Sequence, residues 1–129
     1  MEPENAGILV ADGHSVLLAK RNTKPGVRFP GHWSPFAGAI EEGETPKEAA
    51  VRELFEESEI KTEGPIELLG KTKRGGYGLF FLFLYRVKSI PYPKIDSEHT
   101  EWGVFKIESI LSSPSPMDPW IVEKISRIS

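Results

Sequence analysis

The sequence predicts an α+β fold in which a mixed β-sheet is flanked by helices. Three observations carry this. Apolar β-type stretches come first, one strongly punctuated helix interrupts them, and further strands are closed by a second capped helix. The length of 129 residues fits one domain, taken as residues 1–129. With 39% hydrophobic and 27% charged residues the composition is that of a globular protein, and a chain of this size buries roughly two-thirds of its unfolded surface without staples.

The elements follow in order. Residues 7–11 are apolar and β-type, Asp12-Gly13 is a turn dipeptide, and residues 16–20 form a second strand, so residues 6–21 read as a hairpin. Residues 22–32 carry two Pro and two Gly and read as a loop. Residues 33–40 are short, Gly-interrupted and partly extended. Thr45 is suited to an N-cap, Pro46 to the first helical position, and Glu48 completes a capping box three residues on, so a helix runs from Pro46 to about Glu59. Residues 66–73 read as a strand, Gly75-Gly76 as a turn and residues 78–88 as a long buried strand. Residues 89–98 form a Pro-containing loop. Residues 101–106 form a strand with Trp102 and Val104 on one side and Gly103 and Phe105 on the other. Residues 107–111 suit a helical turn. Asp118-Pro119 repeats the cap-and-proline arrangement ahead of a terminal helix over residues 120–128.

The bulk numbers exclude several chemistries. Without cysteine there is no disulfide, thiolate catalysis or Cys-ligated metal. His14, His32 and His99 have no ligand-like spacing, so carboxylates are the expected metal ligands. A net charge of −3 does not suit a duplex-binding domain. The acidic start Met1-Glu2-Pro3-Glu4-Asn5 does not read as a secretory signal, and the longest apolar run, residues 79–85, is too short for a bilayer span of about 20 residues. A cytoplasmic location, no membrane and no polymeric nucleic acid are expected.

On the first helix, Glu53, Glu56 and Glu57 are related as i, i+3 and i+4, so three carboxylates share one face. Ala50, Val51, Leu54 and Phe55 fall broadly opposite and are expected to face a core. Like charges at this spacing destabilise a helix by about 0.2–0.5 kcal/mol per pair, and they lie where the helix dipole disfavours them. A hard divalent cation turns that repulsion into attraction.

From Gly38 the chain reads GAIEEGETPKEAAVRELFEESEI. This resembles the Nudix box, G-x5-E-x7-R-E-U-x-E-E-x-G-U with U aliphatic, and eight of its nine specified positions match. Glu59 stands in place of the late glycine, near the helix end where the backbone often turns left-handed. HWSPFAGAIE resembles the approach to that box, with Ala37 in place of the first of two glycines. With the flanking strands and terminal helix, the resemblance covers nearly the whole chain and implies a Nudix-like α/β/α sandwich.

The resemblance also implies a hydrolase that cleaves a diphosphate linkage in a nucleoside diphosphate derivative: a nucleoside triphosphate, a dinucleoside polyphosphate or a nucleotide sugar. Mg²⁺, with Mn²⁺ as a substitute, is the implied cofactor. Glu53, Glu56 and Glu57 are the implied metal ligands, joined by the Gly38 carbonyl, with Glu44 and Arg52 as an orienting pair. A base accepts a proton from the attacking water. It comes from the box or from Glu98 or Glu101, in a segment, SEHTEWGVF, that resembles the family's later approach to the site. The other reading is a catalytically weak nucleotide-binding or sensor module. Members that isomerise isopentenyl diphosphate generally carry a catalytic cysteine, which this chain lacks.

For substrate contacts, Tyr77 stands where a tyrosine is associated with family members that cut dinucleoside polyphosphates, and Tyr77 or Phe80 could stack on a base. Packing is the favoured role for Phe80. Arg21, Lys24, Arg28, Lys73 and Arg74 are candidate phosphate contacts in or beside loops. The expected partner is a small nucleotide, and the expected state is monomer or homodimer.

Overall fold

A computed structural model describes residues 4–74 and 78–128. The Gly75-Gly76 turn and Tyr77 lie outside the described residues. The strands are β1 (Glu4–Ala11), β2 (Ser15–Arg21), β3 (Trp33–Ser34), β4 (Phe36–Ala39), β5 (Ile66–Lys73), β6 (Leu79–Arg86) and β7 (His99–Lys106). The helices are α1 (Pro46–Ser58) and α2 (Pro119–Ser126), with a 3-10 turn at Ile107–Ser109. Each expected element is present, most with edges moved by one to three residues, as terminal turns and strand ends do.

The order β3-β2-β1-β6-β5 forms the sheet's path, with β4 also on β1 and β7 on β2. β1 and β6 are parallel, paired from Glu4 with Leu79 to Ala11 with Arg86. The other edge of β1 is shared: Asn5 to Ile8 pair with β4, while Val10 and Ala11 pair with β2. This division lets the box segment leave the sheet beside β1 and enter α1. The turn between β1 and β2 is held by Asp12, whose Oδ1 accepts from the His14 and Ser15 amides at 3.0 and 2.8 Å.

Alternation along the central strands separates two cores. Leu9, Ala11, Leu82 and Leu84 meet Ile121 and Ile125 of α2, whereas Ile8, Val10, Phe83 and Tyr85 join the cluster holding Ala49, Ala50 and Leu54 of α1. The result is a sheet covered by a helix on each face. Burying one side chain such as Leu54 contributes about 1.5–3 kcal/mol. Trp102 packs with the α1 cluster and Phe105 with the α2 cluster, the alternation expected for β7.

Both helices start as the sequence predicts. Thr45 Oγ1 accepts from the Glu48 amide at 3.1 Å while Glu48 Oε1 accepts from the Thr45 amide at 2.9 Å. Asp118 Oδ1 accepts from the Trp120 amide at 2.8 Å. The buried strip of α1 corrects the wheel, however. It comprises Ala49, Ala50, Leu54, Glu57 and Ser58; Phe55 is 41% exposed and Val51 is only half-buried. At about 100° per residue Glu57 falls between Ala49 and Leu54, so the acidic residues begin on the covered side of the helix rather than opposite the core. Glu57 can lie there because the Ala37 amide donates to its Oε1 at 3.0 Å.

Candidate active site

The backbone at the end of α1 draws the site together. A helix leaves its last carbonyls without intrahelical donors. Here the Lys94 amide donates to Ser58 O at 2.9 Å and the Asp96 amide to Glu57 O at 3.1 Å. These bonds bring the loop before β7 against the helix. As a result one carboxylate oxygen each from Glu57, Asp96 and Glu98 lies within 4.8 Å of the others. Glu59, at the helix C-cap, adopts the left-handed conformation (φ 61°, ψ 18°), and its amide donates to Phe55 O at 2.8 Å. The chain therefore keeps the exit turn although glycine is absent.

Glu57 is 2% exposed. Burial, repulsion from Glu53, a hydrogen bond with Glu53 and repulsion from Asp96 push its carboxyl up to about 10, against the opposing Ala37 amide. Asp96 is fixed by His99, whose Nδ1 is 2.8 Å from Asp96 Oδ1. A carboxylate acceptor there places the proton of a neutral imidazole on Nδ1. Burial holds the His99 ring below its ordinary value, opposed by Asp96.

Arg52 organises the opposite side of Glu53. Its Nε and Nη2 reach Glu44 Oε2 and Oε1 at 2.7 and 3.0 Å, Nη1 reaches Glu53 Oε1 at 2.9 Å and Glu56 Oε2 at 3.2 Å, and Nη2 donates to Ala39 O at 2.9 Å. The guanidinium holds the Glu44 carboxyl below its ordinary value, helped by the Glu41 backbone. A Cβ at position 38 would run into the carboxylate of Glu53, which would then have to swing away from Arg52.

A cavity of about 310 Å³ adjoins these groups. Gly38, Glu53, Glu57 and Glu98 line it, with Arg21, Arg28 and Arg74. Arg28 Nη1 donates to Asn5 Oδ1 at 2.9 Å, which ties the loop of residues 22–32 to β1. The expected residues are thus sorted. Glu56 is turned to Arg52 and its side chain is 55% exposed. Glu101 is exposed, paired in register with Lys20, and outside the cavity lining. Lys73 and Lys24 also lie outside that lining, and Phe80 combines packing with a place in it. Asp96 is the site residue that the sequence did not single out. Its Pro-containing loop carries no local pattern; the E-x-x-E segment that begins at Glu98 marks only its neighbourhood.

The NUDIX domain profile matches residues 1–127. An RNA pyrophosphohydrolase of Agrobacterium fabrum (strain C58) is 35% identical over 89 residues, 56% of this chain and 52% of that protein. An RNA pyrophosphohydrolase of Psychromonas ingrahamii is 42% identical over 60 residues, 46% of this chain and 30% of that protein. The matched segments thus span about half or less of these relatives. The crystal structure of a MutT NUDIX hydrolase from Burkholderia pseudomallei superposes with a TM-score of 0.81 at 20% identity, covering 100% of this chain and 99% of the other.

Proposed function

The chain belongs to the NUDIX family, and from that premise we propose that it is a metal-dependent pyrophosphohydrolase cleaving a diphosphate linkage in a nucleoside diphosphate derivative. The observation that carries this reading is the buried Glu57, crowded by Glu53 and grouped with Asp96 and Glu98 at the edge of a cavity that also presents arginines. Such crowding is costly for carboxylates alone and suits a divalent cation with hard oxygen ligands, Mg²⁺ or Mn²⁺.

In this reading Glu53, Glu57 and Asp96 hold the cation, with the Gly38 carbonyl beside them. When bound, the cation supplies neutralisation of the phosphate oxygens and acidification of a water molecule. Arg52 keeps Glu53 aimed at the site through its contact at 2.9 Å while Glu44 braces the guanidinium from its other edge. Arg21 and Arg28 bind the negative charge of the phosphates. Glu98, exposed on its loop, accepts the proton of the attacking water. Two of its relatives are RNA pyrophosphohydrolases, which supports a diphosphate linkage as the bond cleaved.

The test is a panel of nucleoside triphosphates, dinucleoside polyphosphates, nucleotide sugars and 5′-triphosphorylated RNA, incubated with Mg²⁺ or Mn²⁺ and analysed for the bond broken. Hydrolysis of a diphosphate linkage that disappears in Glu57→Gln is the expected result. Metal-independent turnover, or full turnover in that variant, would overturn the reading.

A further inference from the structure

Four buried polar side-chain atoms lack a hydrogen-bond partner among the described residues, and three of them belong to two residues lining the same cavity: Ser34 Oγ, Arg74 Nε and Arg74 Nη2. Buried polar groups are nearly always satisfied, and exceptions call for a cause. The Arg74 side chain is only 14% exposed, and burial weakens its hold on the proton. Asp118 Oδ2 lies 3.1 Å from Nη2, as an ion pair without hydrogen-bond alignment, while Asp118 Oδ1 is engaged in capping α2. An arginine kept solely to brace that cap would be expected to align with the carboxylate.

The surroundings of Arg74 are flat and apolar. Its guanidinium carbon is 4.0 Å from the ring centre of Phe80 and 5.0 Å from that of Phe29. Phe29 holds a left-handed backbone (φ 49°), between Gly26 and Gly31 at φ 87° and 72°. A bulky residue rarely adopts that conformation, and such strain concentrates at ligand clamps and switches. Phe29, Phe80 and Ile121 line the cavity together with Arg74 and Ser34, and Glu53, Glu57 and Glu98 line it as well. The volume of about 310 Å³ is at the small end of the range for ligand pockets.

Resting on the reading that the substrate is a nucleotide, we propose that Arg74, with Ser34, reads the base at this part of the cavity and selects 6-oxopurines over 6-aminopurines. A guanidinium offers donors only. Guanine presents two acceptors, O6 and N7, on one edge, whereas adenine presents N7 beside an amino donor. Guanine therefore supplies a hydrogen-bond acceptor to each of the two nitrogens that lack one, while adenine sets donor against donor and leaves one unmet. The Ser34 hydroxyl donates or accepts as the base requires. The ring of Phe29 supplies a stacking face, and Phe29, on its strained turn, is the group that yields as the base reaches the guanidinium, which rests on the buried ring of Phe80.

Calorimetric titration of the intact protein with GDP, IDP and ADP, with and without Mg²⁺, tests this, and the metal-free arm reads binding without turnover. IDP keeps O6 and N7 but lacks the 2-amino group, so it isolates the edge in question. GDP and IDP should bind about tenfold more tightly than ADP, and in Arg74→Met the ratio should fall to within about twofold. Equal or tighter binding of ADP by the wild-type protein overturns the proposal without recourse to any variant. So does an unchanged ratio in a folded Arg74→Met protein, or no binding of any of the three. A 6-oxopurine preference in a protein that hydrolyses nothing would sink the hydrolase reading and leave this one standing. Hydrolysis together with indifference to the base would do the reverse.

Discussion

Arg52 grips Glu44 with one edge of its guanidinium, Nε 2.7 Å from Oε2 and Nη2 3.0 Å from Oε1, while its remaining nitrogen reaches Glu53. Eight residues of sequence, from just before the α1 cap to the second turn of the helix, are spanned by a planar fork that a single ammonium cannot reproduce. Arg52→Lys should therefore keep the charge and lose the alignment. Residues that orient metal ligands typically contribute about 10–100-fold in metal affinity or activity. The expected result is a loss of that order in kcat or in Mg²⁺ affinity, with circular dichroism unchanged. Wild-type kinetics in Arg52→Lys would show that the fork does not matter.

Glu57 gives a pH prediction for the protein without metal. Its carboxyl is raised in the folded state from 4.5 to about 10, so the folded protein favours the protonated form. Its contribution to stability is fully present below about 4.5 and is lost as pH rises through the window up to about 10. Thermal unfolding in a chelator should therefore show Tm falling between pH 5 and 9, with Mg²⁺ restoring stability at the alkaline end. Glu57→Gln should flatten the metal-free profile, because no charge is left to bury. A wild-type profile that is already flat would contradict the burial argument.

Gly38→Ala isolates the close approach of β4 to α1. A methyl group at that position meets the Glu53 carboxylate, which has to move away from both Arg52 and the site. We expect weaker Mg²⁺ binding and a drop in kcat larger than the change in KM, with the sheet pairing of β4 retained. Unaltered metal binding would mean that Glu53 has room to relax without consequence.

Glu59→Gly should stabilise the chain. The residue holds φ 61° at the end of α1, a conformation that costs a non-glycine residue about 1–2 kcal/mol. Its ion pair with Lys94, at 3.7 Å between side chains 56% and 82% exposed, is worth little. Denaturant unfolding is expected to show a gain of about 1 kcal/mol once the greater freedom of unfolded glycine is set against the relief. A loss would assign Glu59 a role beyond the turn.

The readable parts of the fold were those written locally. Thr45, Pro46 and Glu48 announce a helix start because a capping box is closed within four residues, and Asp118 does the same for α2. Strand positions followed from alternation and turn residues. The box glutamates and Arg52 were legible through resemblance, although the wheel put them opposite the core. It treated Phe55 as a core residue because it weighs hydrophobicity alone, while the contact with β1 and β4 selects Ala49, Ala50 and Leu54 and leaves Phe55 outside. Asp96 was hidden for another reason: main-chain amides bring it to Glu57, and these carry no residue code. Arg74 stood in the sequence as one of several loop cations. Its distinction, a guanidinium among aromatic rings, exists only after β5, β6 and α2 have assembled.

The amide of Asp96 on the carbonyl of Glu57 ties ligand capture to chain completion. A nascent or truncated polypeptide ending before residue 94 has the helix and all the box glutamates but lacks the opposing jaw formed by Asp96 and Glu98. Such a fragment should bind magnesium only as weakly as any charged helix does, and tight cation uptake would then serve as a gauge of how far synthesis and docking of the later strands have progressed.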